Sequence, residues 1–554
     1  MKSHPLLRGL TLALAATLLA GGLSNCTKDL DRKPFYDLNT ESVYGNAANH
    51  LHVLAKLYAG LNLSGDPGSP DVFAGQGKDE GETSYLRAYW YLQELTTDEA
   101  AVAWNSGPLQ ELNTNTWTSS NDLINNSYTR IFYEVVLCNE FIRETSDDKL
   151  SSRNITGMDA DNARTYRAEA RFLRALAYSH ALDLYANVPF VTEADAPSKS
   201  LPPQIKRADL FAYIESELKA IEPLLKPARQ NVYGRADQGA AQALLAKLYL
   251  NAEVYSGTAR YTDCLTFCNK LLGEGYELTQ ADPLTNTNPD PASGYAKLFM
   301  ADNNVTAAKE IIFPILSDGL VSQTYGGTTY LTHAAVGGRM IGSAYGISSG
   351  WAGNRTRKTL PQLFPGLQNS DDTRAMFFAI GQNLEITDLT LFTDGYACTK
   401  WKNITSTGKA GSDPQGTFVD TDFPLLRLGD VYLMYAEAVL RGGTGGTQTQ
   451  ALAYVNALRD RAYENTGGST YGRVTLADLT APDFILQERG RELYWEGTRR
   501  TDLVRFGKYA GSTYLWPWKG GVSTGKSLDA IRNIYPLPST DIVANPSLKQ
   551  NPGY

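Results

Sequence analysis

The chain has 554 residues and a formal net charge of −8. That excess of acid argues against a partner held through nucleic-acid phosphates, which proteins grip with Lys and Arg. Apart from one short apolar stretch at the start, no segment approaches the length of a membrane span.

At the N-terminus, Lys2 and Arg8 form a basic start, Leu6 to Ala20 is an apolar run too short to span as a stable helix, and Leu23-Ser24-Asn25-Cys26 follows. A lipoprotein signal peptide places Leu and small residues before a Cys that becomes the lipidated N-terminus. Residues 1–25 are therefore expected to be removed and Cys26 to carry a lipid anchor. Asn25 departs from the usual Gly, Ala or Ser; secretory cleavage with an incidental Cys, or an uncleaved anchor, is the alternative. Loss of Lys2 and Arg8 moves the charge from −8 to −10. Lys28, Asp29 and Asp31 fit a short charged export signal or, equally, a solvated linker.

Helical periodicity then dominates. Val43, Ala47, Leu51, Leu54, Tyr58 and Leu61 share one face, with Ser42 or Thr40 as cap. Further helices are predicted at about 122–146, 163–186, 207–225, 236–255 and 259–273. Alternating small and large apolar residues from Ala240 to Tyr255 suit stacked helix pairs, so a tetratricopeptide-like scaffold is expected although the strict repeat consensus is absent. Cys264 and Cys268 lie at i and i+4, a spacing that could begin a metal site but lacks neighbouring ligands and suits small core thiols better. Cys138 and Cys398 complete the set outside the leader, and export permits a disulfide without requiring one.

From about 275 to 425 the pattern breaks into Gly, Ser, Thr, Asn and Pro with scattered aromatics, including Trp351 and Trp401. A stretch of this length without periodicity points to function, and its aromatics argue against disorder. A short strand is expected at Glu310 to Leu316. Helices return at 427–440, 447–464 and 482–508, and Pro536, Pro538, Pro546 and Pro552 mark an extended, pinned tail over 530–554.

Three segments carry a family resemblance. Arg167 to Tyr178 with Asp183-Leu184-Tyr185 and Val188-Pro189, Glu488 to Phe506, and Tyr535 to Tyr554 are each similar to parts of the SusD/RagB outer-membrane nutrient-binding lipoproteins. The resemblance covers essentially the whole mature chain. It implies one mostly α domain over 26–554, a SusD-like tetratricopeptide-like helical-repeat scaffold at about 40–275 and 426–510. A long irregular loop-rich insertion with short strands would bind ligand, at about 62–120 and 275–425. Physically, the charges in these segments read as scaffold: Arg167, Arg171 and Arg174 share a helix face, and Glu496 is placed to pair with Arg499 and Arg500 at i+3 and i+4.

The segment Gln93 to Thr118 resembles the family region lining the glycan site, with Asp71, Asp79, Glu80, Trp90 and Trp104 in or before it. A sugar ring has an apolar C–H face and a hydroxyl rim, so it wants an aromatic plane beside carboxylate, amide or guanidinium groups. Asp71 with Trp90, Trp104, and Trp351 with Asn354 and Arg355 supply these types, and Tyr396 can complete the wall. Each aromatic taken alone is more readily a core residue than a ligand contact, Tyr325 and Tyr330 most of all, but at least one stacking residue is expected among the set. The wording around Trp90, Trp351 and Tyr396 is similar to fructan-binding members.

No cofactor is expected. Asp66, Asp71, Asp79 and Glu80 are possible calcium ligands without EF-hand spacing. Of five histidines, His4 lies in the leader, and His50 and His52, two apart, point to different helix faces. Gly346-Ile347-Ser348-Ser349-Gly350 has the letters of a nucleophile elbow but sits in a loop. A glycosidase needs only two carboxylates and is the rival class. The resemblance implies capture without catalysis: a lipid-anchored, surface-facing outer-membrane protein that binds oligo- or polysaccharide and delivers it to a SusC-like TonB-dependent transporter, with peptide binding as the alternative.

Overall fold

The computed structural model describes residues 39–64, 81–195, 201–283 and 292–554. Cys26, the leader, and Asp66, Asp71, Asp79 and Glu80 lie outside the described residues. Among the described residues no helix is long and apolar enough to cross a membrane.

Helices dominate. In chain order the main ones are α1 (Ala47–Gly60), α2 (Asp122–Glu144), α3 (Gly157–Tyr185), α4 (Arg207–Ile221), α5 (Gln238–Leu250) and α6 (Tyr261–Gly273). They continue with α7 (Gly327–Ala334), α8 (Leu428–Leu440), α9 (Gln448–Ala462), α10 (Phe484–Leu493) and α11 (Arg499–Arg505). Their starts follow cap chemistry. Asn121 Oδ1 accepts from the N–H groups of Leu123 and Ile124 at the head of α2, and Asp237 Oδ1 accepts from Ala240 N–H at the head of α5. The first predicted helix is two: Asn39 caps a short turn at Thr40–Tyr44, and Asn46 starts α1.

Neighbouring helices pack in succession, α2 on α3, α3 on α4, α5 on α6, α6 on α8 and α8 on α9. The mostly helical architecture is thus the one the periodicity predicts. Helix α5 is apolar nearly all round and buried over most of its length, since it packs against α4, α6 and α8 at once. Arg171 and Arg174 both reach Glu217 at 2.8 Å, locking α3 to α4. Cys138, Cys264, Cys268 and Cys398 are buried and unbridged.

Strands are short and paired. β1 (Ala100–Val102) runs antiparallel to β3 (Asn354–Thr356), and β2 (Ile311–Ile315), close to its predicted place, runs antiparallel to β4 (Phe423–Arg427). The second pair delivers Arg427 into a buried ion network. Its guanidinium meets Glu492 and Glu496 at 2.7 Å and Glu310 at 3.2 Å.

That network corrects one expectation. Glu496 does not pair with Arg499 and Arg500, because the helix predicted at 482–508 breaks after Leu493, where Trp495 adopts a positive φ of 62°. Glu496 turns instead to Arg427 and Lys400, both at 2.7 Å. Arg499 pairs with Asp98 at 2.8 Å, and Arg500 donates to the carbonyl of Asn533 at 2.8 Å. The proline-rich tail packs over the helices: Tyr535 N–H donates to Leu184 O at 2.7 Å, and the Asn551 amide donates to Tyr185 O at 2.7 Å.

Candidate functional site

The β1–β3 ladder brings two distant tryptophans together. Val102 pairs with Asn354, and Ala103 N–H donates to Gly353 O at 2.8 Å, so Trp104 just after β1 meets Trp351 just before β3. The Trp104 indole N–H donates to Trp351 O at 3.0 Å. Gly353 makes this approach possible: a Cβ there would stand 2.7 Å from the indole carbons Cε2 and Cζ2 of Trp104.

Around them lies an exposed aromatic surface. Tyr325 is 36% exposed, with its ring 6.2 Å from Trp351 at 50° and 5.2 Å from Phe418 at 51°. Trp104, Trp351 and Phe418 are half-buried. Beneath this layer, Tyr330 is fully buried with its edge to Trp104 at 5.9 Å, and its hydroxyl donates to Asn354 Oδ1 at 2.6 Å. The Arg87 guanidinium lies 4.3 Å from the Tyr330 centroid and 5.6 Å from that of Trp104, and donates to Tyr325 O at 3.3 Å. His333, one residue before the end of α7, stacks on Trp351 at 4.7 Å and 25°.

The other predicted site residues go elsewhere. Trp90, fully buried, donates its indole N–H to Trp495 O at 3.2 Å and packs between Tyr330 and Trp495, which corrects its reading as a stacking platform. Arg355 is also corrected: fully buried, it donates to the carbonyls of Asp394 and Leu389, and burial lowers its pKa to about 10. Tyr396 is buried in the main core, which corrects its reading as part of the site's wall. Its backbone carbonyl accepts from Thr356 N–H at 2.8 Å, so it serves the edge of the β-structure.

Residues 388–554 match the SusD family, and residues 75–250 match the family described as starch-binding associating with outer membrane. The starch-binding protein SusD of Bacteroides thetaiotaomicron is 34% identical over 605 aligned positions that cover 100% of both chains. The chain belongs to the SusD family. A SusD-like protein of Bacteroides ovatus is 25% identical over 70% of this chain and 74% of its own. Among solved structures, a SusD homologue of Bacteroides thetaiotaomicron superposes with a TM-score of 0.69 at 18% identity, covering 93% of this chain and 98% of that one. Surface glycan-binding protein A of Bacteroides fluxus gives 0.65 at 18%, covering 92% and 100%. At such identities these likenesses establish the SusD fold alone.

Within this SusD-family structure, the nucleophile-elbow letters do not form an elbow. Ser348 follows a 3-10 turn at Gly342–Tyr345, its hydroxyl donates to Gly416 O at 3.2 Å, and His333 Nδ1 engages the backbone carbonyl of Ser349. Carboxyls with raised pKa values do occur, unread from the sequence: burial lifts Glu94 and Glu134 to about 8 and Asp422 to about 7. All three are buried, which withholds them from a substrate at the aromatic surface. Among the described residues no group of three His, Cys, Asp or Glu side chains is placed to hold a metal ion.

Tyr325, Phe418 and His333 were missing from the predicted site. Tyr325 lies just before α7 and Tyr330 within it, five positions apart, and only the long-range packing on Trp90 and Arg87 decides which of them is covered. Phe418 had no local signal at all.

Proposed function

We propose that this SusD-family chain captures a starch-type α-glucan on the surface formed by Trp104, Trp351, Tyr325 and Phe418, without chemical conversion. The single observation that carries this reading is that these rings are accessible and that the Tyr325 ring is tilted by about 50° from both Trp351 and Phe418. A helical α-glucan turns each sugar face relative to the last, so tilted planes meet successive C–H faces where a flat platform would meet one. The exposed polar residues beside the rings, Asn105, Gln323 and Ser349, offer partners for the hydroxyl rim.

The relative aligned over the whole chain is named a starch-binding protein. This favours α-glucan over the fructan suggested by local wording. Lipidation at Cys26 would hold the protein at the outer membrane, consistent with the family description matched by residues 75–250. Delivery to a SusC-like TonB-dependent transporter completes the reading. Affinity at one site is expected to be weak, because sugar hydroxyls exchange water for protein partners, and anchoring compensates through local concentration.

The test is a binding panel with soluble protein beginning after Cys26: maltoheptaose, amylopectin, inulin and a mixed peptide pool. Retention of the two α-glucans alone, with no release of reducing sugar, supports the reading. Inulin or peptide binding without α-glucan binding overturns the ligand assignment, and reducing-sugar release overturns capture without conversion.

A further inference from the structure

Two loops carry half of the aromatic surface, and one buried side chain lies between them. Residues 348–352 bear Trp351 and residues 413–419 bear Phe418. They touch directly, Ser348 N–H donating to Gly416 O at 2.8 Å. Neither loop has regular secondary structure, so their shape depends on specific ties. Asp413 supplies some within its own loop, accepting from Thr417 and Phe418 N–H at 2.9 Å each.

Loop 348–352 is also held by Ala352 N–H donating to Val336 O at 2.9 Å and by the Trp104 indole on Trp351 O, but the ties on either side of Gly350 converge on His333. Only 1% exposed, it is the penultimate residue of α7, whose eight residues are all buried, so it is a fixed point. Its Nδ1 lies 2.7 Å from Ser349 O, and a carbonyl accepts only, so the proton stands on Nδ1. Its own carbonyl accepts Trp351 N–H at 2.8 Å. Its ring lies stacked on the indole at 4.7 Å. The Thr417 carbonyl lies beside the same ring from the second loop, while Nε2 makes no full hydrogen bond.

We infer that His333 is a positioning residue for the glycan surface: its Nδ1–H and its backbone carbonyl clamp the loop on both sides of Gly350, and its ring sets the plane of Trp351. This inference rests on the capture reading for its functional consequence, not for its structural content. The imidazole suits the task because one flat side chain supplies a stacking face and a directed donor together. Preorganisation of a ligand surface raises affinity by removing the cost of ordering it on binding.

The substitutions His333→Asn and His333→Phe separate donor from ring. An Asn amide nitrogen stands about where imidazole Nδ1 does, whereas Phe keeps a flat ring and loses the donor. Hydrogen exchange is followed in the soluble protein without glycan, with α5 as internal reference, and affinity for maltoheptaose is measured alongside.

The expected result is faster exchange over residues 348–352 in His333→Phe, with α5 unchanged and affinity about tenfold lower. His333→Asn should restore wild-type exchange there and recover affinity to within about threefold, the remaining loss reporting the missing ring. Wild-type exchange in His333→Phe, or equal loosening in both variants, overturns the inference. If the wild-type protein binds no α-glucan, the capture reading fails while the exchange data still decide the role of His333.

Discussion

Trp104 donates its indole N–H to the backbone carbonyl of Trp351 at 3.0 Å, across the end of the β1–β3 ladder. The two platforms are therefore one mechanical unit, although 247 positions separate them in the chain. Removing either should disturb the other. Trp104→Ala and Trp351→Ala are each expected to lower affinity for maltoheptaose about tenfold, equivalent to about 1.4 kcal/mol. The double variant should fall short of the product of the two, because contacting residues are not additive. Isothermal titration of the three variants checks this; a fully multiplicative loss would contradict the coupling. Trp90→Ala is the contrast, since a buried Trp truncation costs about 3–5 kcal/mol of stability and should leave the affinity of the folded fraction unchanged.

Gly353 gives a second handle on the same unit. Its backbone has no positive φ, so alanine there carries no left-handed strain, and the only obstacle is the 2.7 Å approach of a Cβ to the Trp104 indole. Gly353→Ala is expected to push the indole off its seat and lower α-glucan affinity about as much as Trp104→Ala, with a smaller effect on thermal stability than Trp90→Ala. Parallel titration and thermal melts decide between this and a harmless methyl group; wild-type affinity would show that the indole has room to move.

Glu94 and Glu99 make stability fall as pH rises from the ordinary carboxylate range toward about 8. Both are buried, and Glu94 Oε1 accepts from Gly497 N–H at 2.7 Å and Thr498 N–H at 3.2 Å, bracing the turn after Trp495. Burial raises Glu94 to about 8, and burial with the neighbouring Glu94 charge raises Glu99. In the unfolded chain a Glu ionises near 4.3. Between these values the folded state keeps protons that the unfolded state releases, so stability is highest at the acid end of the window and falls as pH rises through about 8. Glu94→Gln keeps an acceptor for Gly497 and removes the titration. Urea unfolding at pH 5.5 and 8.5 should show a smaller loss in the variant than in the wild type; equal losses would remove Glu94 from the account.

What was legible in the sequence follows the range of the forces involved. Helices α2 to α6 were readable because periodicity and capping act within one or two turns, as at Asn121 and Asp237. The break at Trp495 was not, because it is imposed from outside the segment: Glu94 and Glu99 accept from backbone N–H groups at Trp495, Gly497 and Thr498. At the site, residue type together with the family resemblance singled out Trp104 and Trp351. It also singled out Trp90 and Arg355, which have the same chemistry but lie behind the surface. Exposure is a property of the assembled fold, and nothing local distinguishes Trp90 from Trp104 until Tyr330 and Trp495 close over the former.

The buried network around Arg427 sets the acid limit and supplies a severe single substitution. Arg427 joins β4 to Glu492 at the end of α10, to Glu496 in the following turn and to Glu310 beside β2, while Arg461 from α9 also reaches Glu310 and Glu492. Burial alone would raise the Glu492 carboxyl, but the guanidiniums of Arg461, Arg427 and Arg374 overcome it and hold its pKa far below the usual range. Glu488, paired with Arg374, is lowered to about 2, and Asp502, paired with Arg489 and Arg505, likewise to about 2. A depressed carboxylate contributes stability present above its unfolded pKa and lost as pH falls toward the folded one, so the loss runs from about pH 4 to pH 2. Arg427→Met removes the central cation and strands buried carboxylates, a change that costs about 3–5 kcal/mol. Adding Glu496→Gln removes one of the carboxylates left in excess and should recover part of that cost, with Lys400 keeping its hydrogen bond to Tyr494 O. Urea unfolding at pH 7 and pH 4 measures both effects: the deficit of Arg427→Met should shrink at pH 4, as the stranded carboxylates take up protons. A deficit unchanged with pH would place the contribution of Arg427 in packing instead of charge.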